Sequence, residues 1–404
     1  MAIDLEETYR DLHEHPELSF QEHRTAGVVA GHLRRLGLAV HEGIGGTGVV
    51  GVLENGAGPT VLLRADMDGL PVLEETGLPY ASTARGTDPD GKDVPVMHAC
   101  GHDVHVTALL GAVERLAGDR EAWGGTLVAV FQPAEELGGG ARSMVEDGLF
   151  QRVPVPDVVL GQHVAPFPAG WVGVHAGVAM ASADSLSVTL HGVGGHGSRP
   201  EATIDPVMMA AATTVRLNAI VSRELSATSA AVLTVGQLHA GTKHNIIPDH
   251  ATLGLSLRAF DESVRTRILV AVERVVRGEA ATSGAVREPE IVHDDHFPVT
   301  VNDADATERT RAALRGVFSP GQVIDPGHIS GSEDVGVLAT AAGAPLVYWF
   351  LGGADPAPFA GAADPMAVAA ELPSNHSPRF APVIQPTLTH GVDALVAAAR
   401  EWLA

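Results

Sequence analysis

The chain has 404 residues, 45% of them hydrophobic, and a formal net charge of −23 from 26 Lys plus Arg against 49 Asp plus Glu. Such a length predicts roughly two to three domains with ample apolar content for buried cores. The acidic balance argues against nucleic acid or an anionic membrane surface as partner. One cysteine leaves no intramolecular disulfide, so the lone thiol is either a small buried hydrophobe or a reagent.

The first residues, MAIDLEETYRDLHEHPEL, are acidic and polar, with no basic stretch leading into an apolar run. No later segment approaches ~18 uninterrupted apolar residues, so the expectation is a cytoplasmic, unanchored protein. Up to about residue 180, short apolar runs alternate with helical patterns. Ala26, Val29, Leu33 and Leu36 recur at helical spacing, whereas 60–63, 127–131 and 158–160 are nearly continuous, as strands covered on both faces should be. RADMD, QPAEE and GQH follow such runs, at the carboxyl ends of strands where open α/β sheets bind ligands.

Near 183 the pattern changes. Leu186, Val188 and Leu190 alternate with Ser185, Ser187 and Thr189, which predicts antiparallel strands with one wetted face. A strand (185–191), a helix (about 204–224), strands (231–238 and 250–258) and a helix (about 261–280, capped by Asp261) come close to a βαββαβ ferredoxin-like unit. From about 293 the first pattern returns, with PLVYWFLGG at 345–353 and a closing amphipathic helix carrying Leu388, Val392, Leu395, Val396 and Ala399. The predicted organisation is α/β: a larger, mainly parallel-sheet domain over 1–182 and 293–404, interrupted by a ferredoxin-like α+β domain over 183–292. The Ala, Gly and Pro-rich stretch 352–373 reads as a mobile surface loop.

Chemistry concentrates in a few places. MHACGHDVH at 97–105 packs one cysteine, three histidines and an aspartate into nine residues just before an apolar helix. Thiolate and imidazole are preferred ligands of Zn²⁺ and neighbouring transition metals, and Cys-x-His can reach one ion if the backbone turns at Gly101. A helix entrance with Asp103 as cap and solvated histidines would account for any one of these residues, not for all of them. In QPAEE, two adjacent carboxylates leave a strand for a glycine-rich turn. In extended backbone they point apart, so one can bind a metal while the other takes a proton from water. His163 ends the strand DVVLGQH and His376 lies in LPSNHSP; either alone could be structural.

Joined with HEHPELSFQE (13–22), RADMDGLP (64–71), GVGGHGSRP (192–200), NIIPD (245–249), SGSED (330–334) and NHSPRF (375–380), these pieces resemble the M20 family of metallopeptidases and amidohydrolases. Within it they are most similar to the aminoacylase, hippurate hydrolase and auxin-conjugate hydrolase branch. The resemblance covers nearly the whole chain. It implies an amidohydrolase that splits N-acyl amino acids into a carboxylic acid and a free amino acid. Two divalent ions are implied, Zn²⁺ first with Mn²⁺, Co²⁺ or Ni²⁺ compatible, held by a bridging Cys100 with His102, Glu136, His163 and His376. Glu135 is then the general base, His196 the group that polarises the scissile carbonyl, Asn245 a contact to the substrate carboxylate, and Asp68 a carboxylate behind the ligands. Asp66 stands where other branches carry a histidine. The family also implies a lid and dimerisation role for the inserted domain, hence a homodimer closing over a small-molecule substrate. Glu201, where a histidine is usual, and the longer segment 84–95 depart from the pattern.

Two rivals differ in kind. A cysteine hydrolase would use Cys100 as nucleophile with His102 or His105, but it has no need of the Glu pair, His163 or His376. A metal-binding scaffold that lost catalysis would not have kept both base and ligands.

Overall fold

The computed structural model describes residues 3–403. The chain divides into two compact units. The residues up to Ala179, Val301–His328 and those from Asp334 onward form the first; Met180–Thr300 and Ile329–Glu333 form the second. Among the described residues no helix is long and apolar enough to cross a membrane.

The first unit is built on an eight-stranded sheet. Its strands run in the order Ala39–Ile44, Gly48–Asn55, Gly125–Gln132, Thr60–Asp66, Val158–Pro168, Leu346–Ala354, Val172–Val174 and Val323–Ile324. The four in the middle are parallel, with Arg64 opposite Val130 on one side and Gly161 on the other, and His163 opposite Phe350. Antiparallel strands extend the sheet on both flanks. Val61, Leu62 and Leu63 are all fully buried, because consecutive side chains point to opposite faces and both faces are covered.

Arg64 carries a buried charge through the middle of this sheet. Its guanidinium donates to Gln132 Oε1 (2.9 Å), Asp66 Oδ2 (2.7 Å) and Asp334 Oδ1 (3.3 Å). Asp334 also accepts from Gln132 Nε2 and the Ala141 amide. A buried guanidinium tolerates this position only when paired on every side, and the last residue of SGSED supplies one of those partners.

The helix His102–Gly118 buries thirteen of its 17 residues, since its apolar positions run round the whole cylinder. It packs between the strand Thr60–Asp66 and the closing helix Ile384–Leu403. The latter comes so near that a Cβ on Gly391 would lie 2.9 Å from Leu351 Cδ2 and 3.1 Å from Ala108 Cβ. The helix begins earlier than its apolar pattern suggests: His102, Asp103 and His105 lie in its first turns, and Gly101, at φ 82°, precedes it in place of an Asp103 cap. The 352–373 stretch is not a plain loop either. The strand runs on to Ala354, and Asp364 caps a helix over Pro365–Glu371. The 84–95 segment folds as a small hairpin, Arg85–Thr87 with Asp93–Pro95.

The second unit is an antiparallel sheet ordered Ala231–Ala240, His250–Ala259, Ser182–His191 and Glu290–Phe297, with helices Pro206–Glu224 and Glu262–Thr282 packed on it. Leu186, Val188, Leu190, Leu253, Leu255 and Leu257 face inward against Ile220 and Val272. Asp205 and Asp261 accept from the first-turn amides of the two helices. A boundary at 292 would cut the last strand, which pairs from Glu290 to Phe297 and therefore belongs whole to this unit. The alternation that marks the other strands is weak there, because five of the eight residues of EIVHDDHF are polar.

Candidate metal centre

The parallel strands bring polar residues to one place, although His163, expected at a strand end, lies inside a strand that runs on to Pro168. Past the strand Gly125–Gln132 the backbone turns sharply at Ala134, which has φ 46°, and enters a short 3₁₀ turn over Glu135–Leu137. The two carboxylates therefore diverge by the rotation of a 3₁₀ turn, not by the alternation of a strand. Asp68 holds this turn: Oδ1 accepts the Glu135 amide (3.1 Å), and Oδ2 accepts the Glu136 amide (3.0 Å) and the Ser19 hydroxyl (2.7 Å). Glu22 accepts the Ala134 amide beside it, and burial with Asp68 nearby pushes the Glu22 carboxyl up to about 7.

His102 is the meeting point. Its Nδ1 lies 3.3 Å from Asp68 Oδ1, and its Nε2 lies 3.8 Å from Glu136 Oε1 and 3.9 Å from Glu135 Oε2. Ligand atoms of Cys100, His102 and Glu136 all fall within 4.8 Å of one another. Cys100 Sγ is 3.4 Å from His163 Nε2, and Glu136 Oε2 is 3.4 Å from His376 Nε2. The five residues expected as ligands are thus joined by short contacts. His376, with 57% of its side chain exposed and φ 70°, is the open member of the set.

Tautomers follow from the partners. His163 Nδ1 contacts the Val164 carbonyl at 2.8 Å, so it carries the proton and leaves Nε2 as a lone pair facing Cys100. His105 Nε2 accepts the Val164 amide at 2.8 Å, so its Nδ1–H is given to Asp66. Both nitrogens of His105 are occupied, which removes it as a ligand even though it clusters with Asp66, His102 and His163. Asp66, already bonded to Arg64 and His105, anchors that ring.

The donor set fits divalent ions. His102 Nε2 and Glu136 Oε1 are buried without a hydrogen-bond partner, an arrangement costly in a core and natural around a cation. Burial pushes the Cys100 thiol up, and the carboxylates of Glu136, Glu135 and Asp66 push the same way, so a thiolate here needs a cation beside it. Burial likewise lifts the Glu136 carboxyl to about 8. For His102, burial opposes charge, but Asp66 and Asp68 outweigh it and raise the ring to about 10. A basic imidazole, a thiol and buried carboxylates crowded together form a pocket with surplus negative charge once deprotonated, which is what a metal cluster supplies a use for.

In the second unit, the expected residues His196 and Asn245 come together on a two-stranded ribbon, Gly195 opposite Ile247 and His196 opposite Ile246, with the Gly197 amide donating to the Asn245 carbonyl (2.9 Å). The Ser198 amide points at His196 Nδ1 (3.1 Å) and the Ser198 hydroxyl lies 2.8 Å from the same atom. An amide only donates, so Nδ1 accepts and Nε2 carries the proton. The GHGS turn thus presents His196 as an Nε2–H donor. Glu201 sits nearby on the exposed surface against Arg199.

Sequence reasoning passed over three residues that build the centre, Arg64, Asp334 and Asn375, and weighed His105 only as a base for a thiol nucleophile. RADMD, SGSED, MHACGHDVH and NHSPRF contain them, but which of two neighbours faces the site is decided by the fold.

A largely parallel sheet with buried Cys, His and Glu side chains gathered at its strand ends defines a hydrolase of the metallopeptidase class. The chain belongs to peptidase family M20/M25/M40, whose pattern matches residues 62–373. It is 37% identical to thermostable carboxypeptidase 2 of Saccharolobus solfataricus, over 85% of this chain and 84% of that one. To the hippurate hydrolase of Campylobacter jejuni it is 41% identical, over 78% and 79%. Among solved structures it is similar to the Bacillus subtilis YXEP protein, described as a dinuclear metal binding peptidase of the M20 family. The TM-score is 0.75 and the identity 29%, with 99% of this chain and 97% of that one covered.

Proposed function

We propose that this protein is a metal-dependent amidohydrolase that splits N-acyl amino acids into a carboxylic acid and a free amino acid. The observation that carries the proposal is the buried meeting of Cys100, His102 and Glu136, with unpartnered polar atoms turned toward one another and Glu135 alongside. The relationship to a carboxypeptidase and a hippurate hydrolase supports an amide whose nitrogen belongs to a residue with a free carboxylate.

Cys100, His102, Glu136, His163 and His376 would hold two divalent ions, as the likeness to YXEP supports. When bound, these ions supply Lewis acidity and a water of lowered pKa. Thiol and imidazole donors favour Zn²⁺ and also accept Mn²⁺, Co²⁺ or Ni²⁺.

Glu135 takes the proton of the attacking water on its carboxylate as the new C–O bond forms, then returns it to the amide nitrogen as the C–N bond breaks. Asp68 keeps that carboxylate aimed by fixing the Glu135 amide. His196, protonated on Nε2, donates to the carbonyl oxygen as it gains negative charge, and Asn245 binds the substrate carboxylate.

The test is hydrolysis of a panel of N-acyl amino acids, N-benzoylglycine included, by purified protein before and after chelation. Activity should vanish with chelator and return with Zn²⁺ or Mn²⁺. Turnover that survives full demetallation would instead make Cys100 a nucleophile, against its raised pKa.

A further inference from the structure

Asn375 immediately precedes His376, and its half-buried side chain reaches the Cys100 and Val164 backbones beside the proposed ligands. Nδ2 donates to the Cys100 carbonyl and to the Val164 carbonyl, both at 3.0 Å, and lies 3.9 Å from Cys100 Sγ. An amide nitrogen has two hydrogens, and the two carbonyls use both. The Val164 carbonyl is also the acceptor that fixes the His163 ring, and the His376 amide donates to Ala99 at 2.8 Å. One side chain therefore ties together three segments far apart in sequence, each bearing a proposed ligand: Cys100, His163 and His376.

We infer that Asn375 is a positioning residue for metal binding, holding the Cys100 and His163 backbones at the separation the ions require. The inference rests on the proposed ligand set. Chemistry explains why the residue is an asparagine. An aspartate of the same shape would set an anionic acceptor against two carbonyl oxygens and beside a thiolate, repelling all three. Alanine would only remove the tie. Residues behind the ligands typically contribute 10- to 100-fold to metal affinity.

The experiment measures Zn²⁺ affinity by competition with a chromophoric chelator for wild type, Asn375→Ala, Asn375→Asp and Cys100→Ser. Circular dichroism of the metal-free proteins checks folding. Asn375→Ala should weaken Zn²⁺ binding by roughly 10- to 100-fold, and Asn375→Asp by more than Asn375→Ala. A residue that merely fills space would give the opposite order, since aspartate matches asparagine in volume. In Co²⁺-loaded protein the thiolate-to-metal absorption band should shift in Asn375→Ala, reporting a moved Cys100. If Asn375→Ala does not fold, Asn375→Ser, which keeps one donor, must show the same loss at smaller amplitude. Wild-type affinity in the Asn375 variants while Cys100→Ser loses metal overturns the clamp alone. Wild-type affinity in Cys100→Ser overturns the ligand set, and the clamp with it.

Discussion

Cys100 is the sole cysteine, and its surroundings decide its use. A nucleophilic thiol needs a lowered pKa, whereas this one is raised by burial and by three carboxylates, an environment that only a cation converts to thiolate. Glu135 is the proposed general base, and Glu135→Gln keeps its shape while removing the proton acceptor. That variant should retain its metal content, measured by elemental analysis, and lose roughly 10²- to 10⁴-fold in turnover. Near-native turnover would remove Glu135 from the proton path. Gly101 sets how both proposed ligands of the Cys-x-His pair reach one place. It stands at φ 82°, and an added Cβ would lie 2.4 Å from Val164 Cγ1. Gly101→Ala should destabilise by roughly 1–2 kcal/mol from the backbone alone, and push the Cys100 segment from the His163 strand. Denaturant melts and Zn²⁺ titration should both register it; an unchanged Zn²⁺ affinity would show that the spacing is not set there.

Between elements, the first helix, Leu5–Glu14, is pinned to the helix His102–Gly118 by a buried ion pair. His13 Nδ1 lies 2.6 Å from Asp103 Oδ2, and Nε2 lies 3.1 Å from Glu74 Oε1. Burial disfavours the charged ring, but hydrogen bonds to Asp103 and Glu74 outweigh it and raise His13 from 6.5 to about 10. The sign follows from proton counts. Between these values the folded chain holds a proton that the unfolded chain has released, so stability falls as pH rises. The His13 contribution, on the order of a few kcal/mol, is complete below pH 6.5 and gone above about 10. Urea unfolding of wild type should therefore lose stability across that window. A His13→Gln/Asp103→Asn double variant, which keeps hydrogen-bonding atoms without a titrating ring, should be flatter there. Parallel curves would mean the pair carries no net pH-linked stability.

At the scale of the molecule, metal should act on one unit and spare the other. The proposed ligands all lie in the first unit, where Glu135 and Glu136 stand side by side near His102 and Glu136 Oε1 is buried without a hydrogen-bond partner, so a bound cation would stabilise that unit. A ligand that binds only the folded form stabilises by about 2.7 kcal/mol at a concentration 100 times its Kd. Calorimetry of the metal-free and Zn²⁺-loaded protein should resolve two transitions, with only the larger, belonging to the first unit, moving up in temperature. A single transition that shifts whole would show the units to melt as one.

What the sequence by itself determined lies in the local patterns. Continuous apolar runs marked the buried strands, period-two alternation marked the antiparallel sheet, and the dense MHACGHDVH and QPAEE segments marked the chemistry, because each is written in neighbouring residues. Tertiary structure alone decided the rest. Ala134 at φ 46° turned the Glu pair into a 3₁₀ turn where extended backbone was expected. His105 became an anchor for Val164, not a ligand, because Asp66 and a backbone amide claimed both of its nitrogens. Asn375 acquired two carbonyl partners 275 and 211 residues away. A hydrogen bond is directional and short-ranged, so a side chain's partner is fixed only once the folded backbone brings distant segments within about 3 Å. Spacing along the chain carries no record of that meeting.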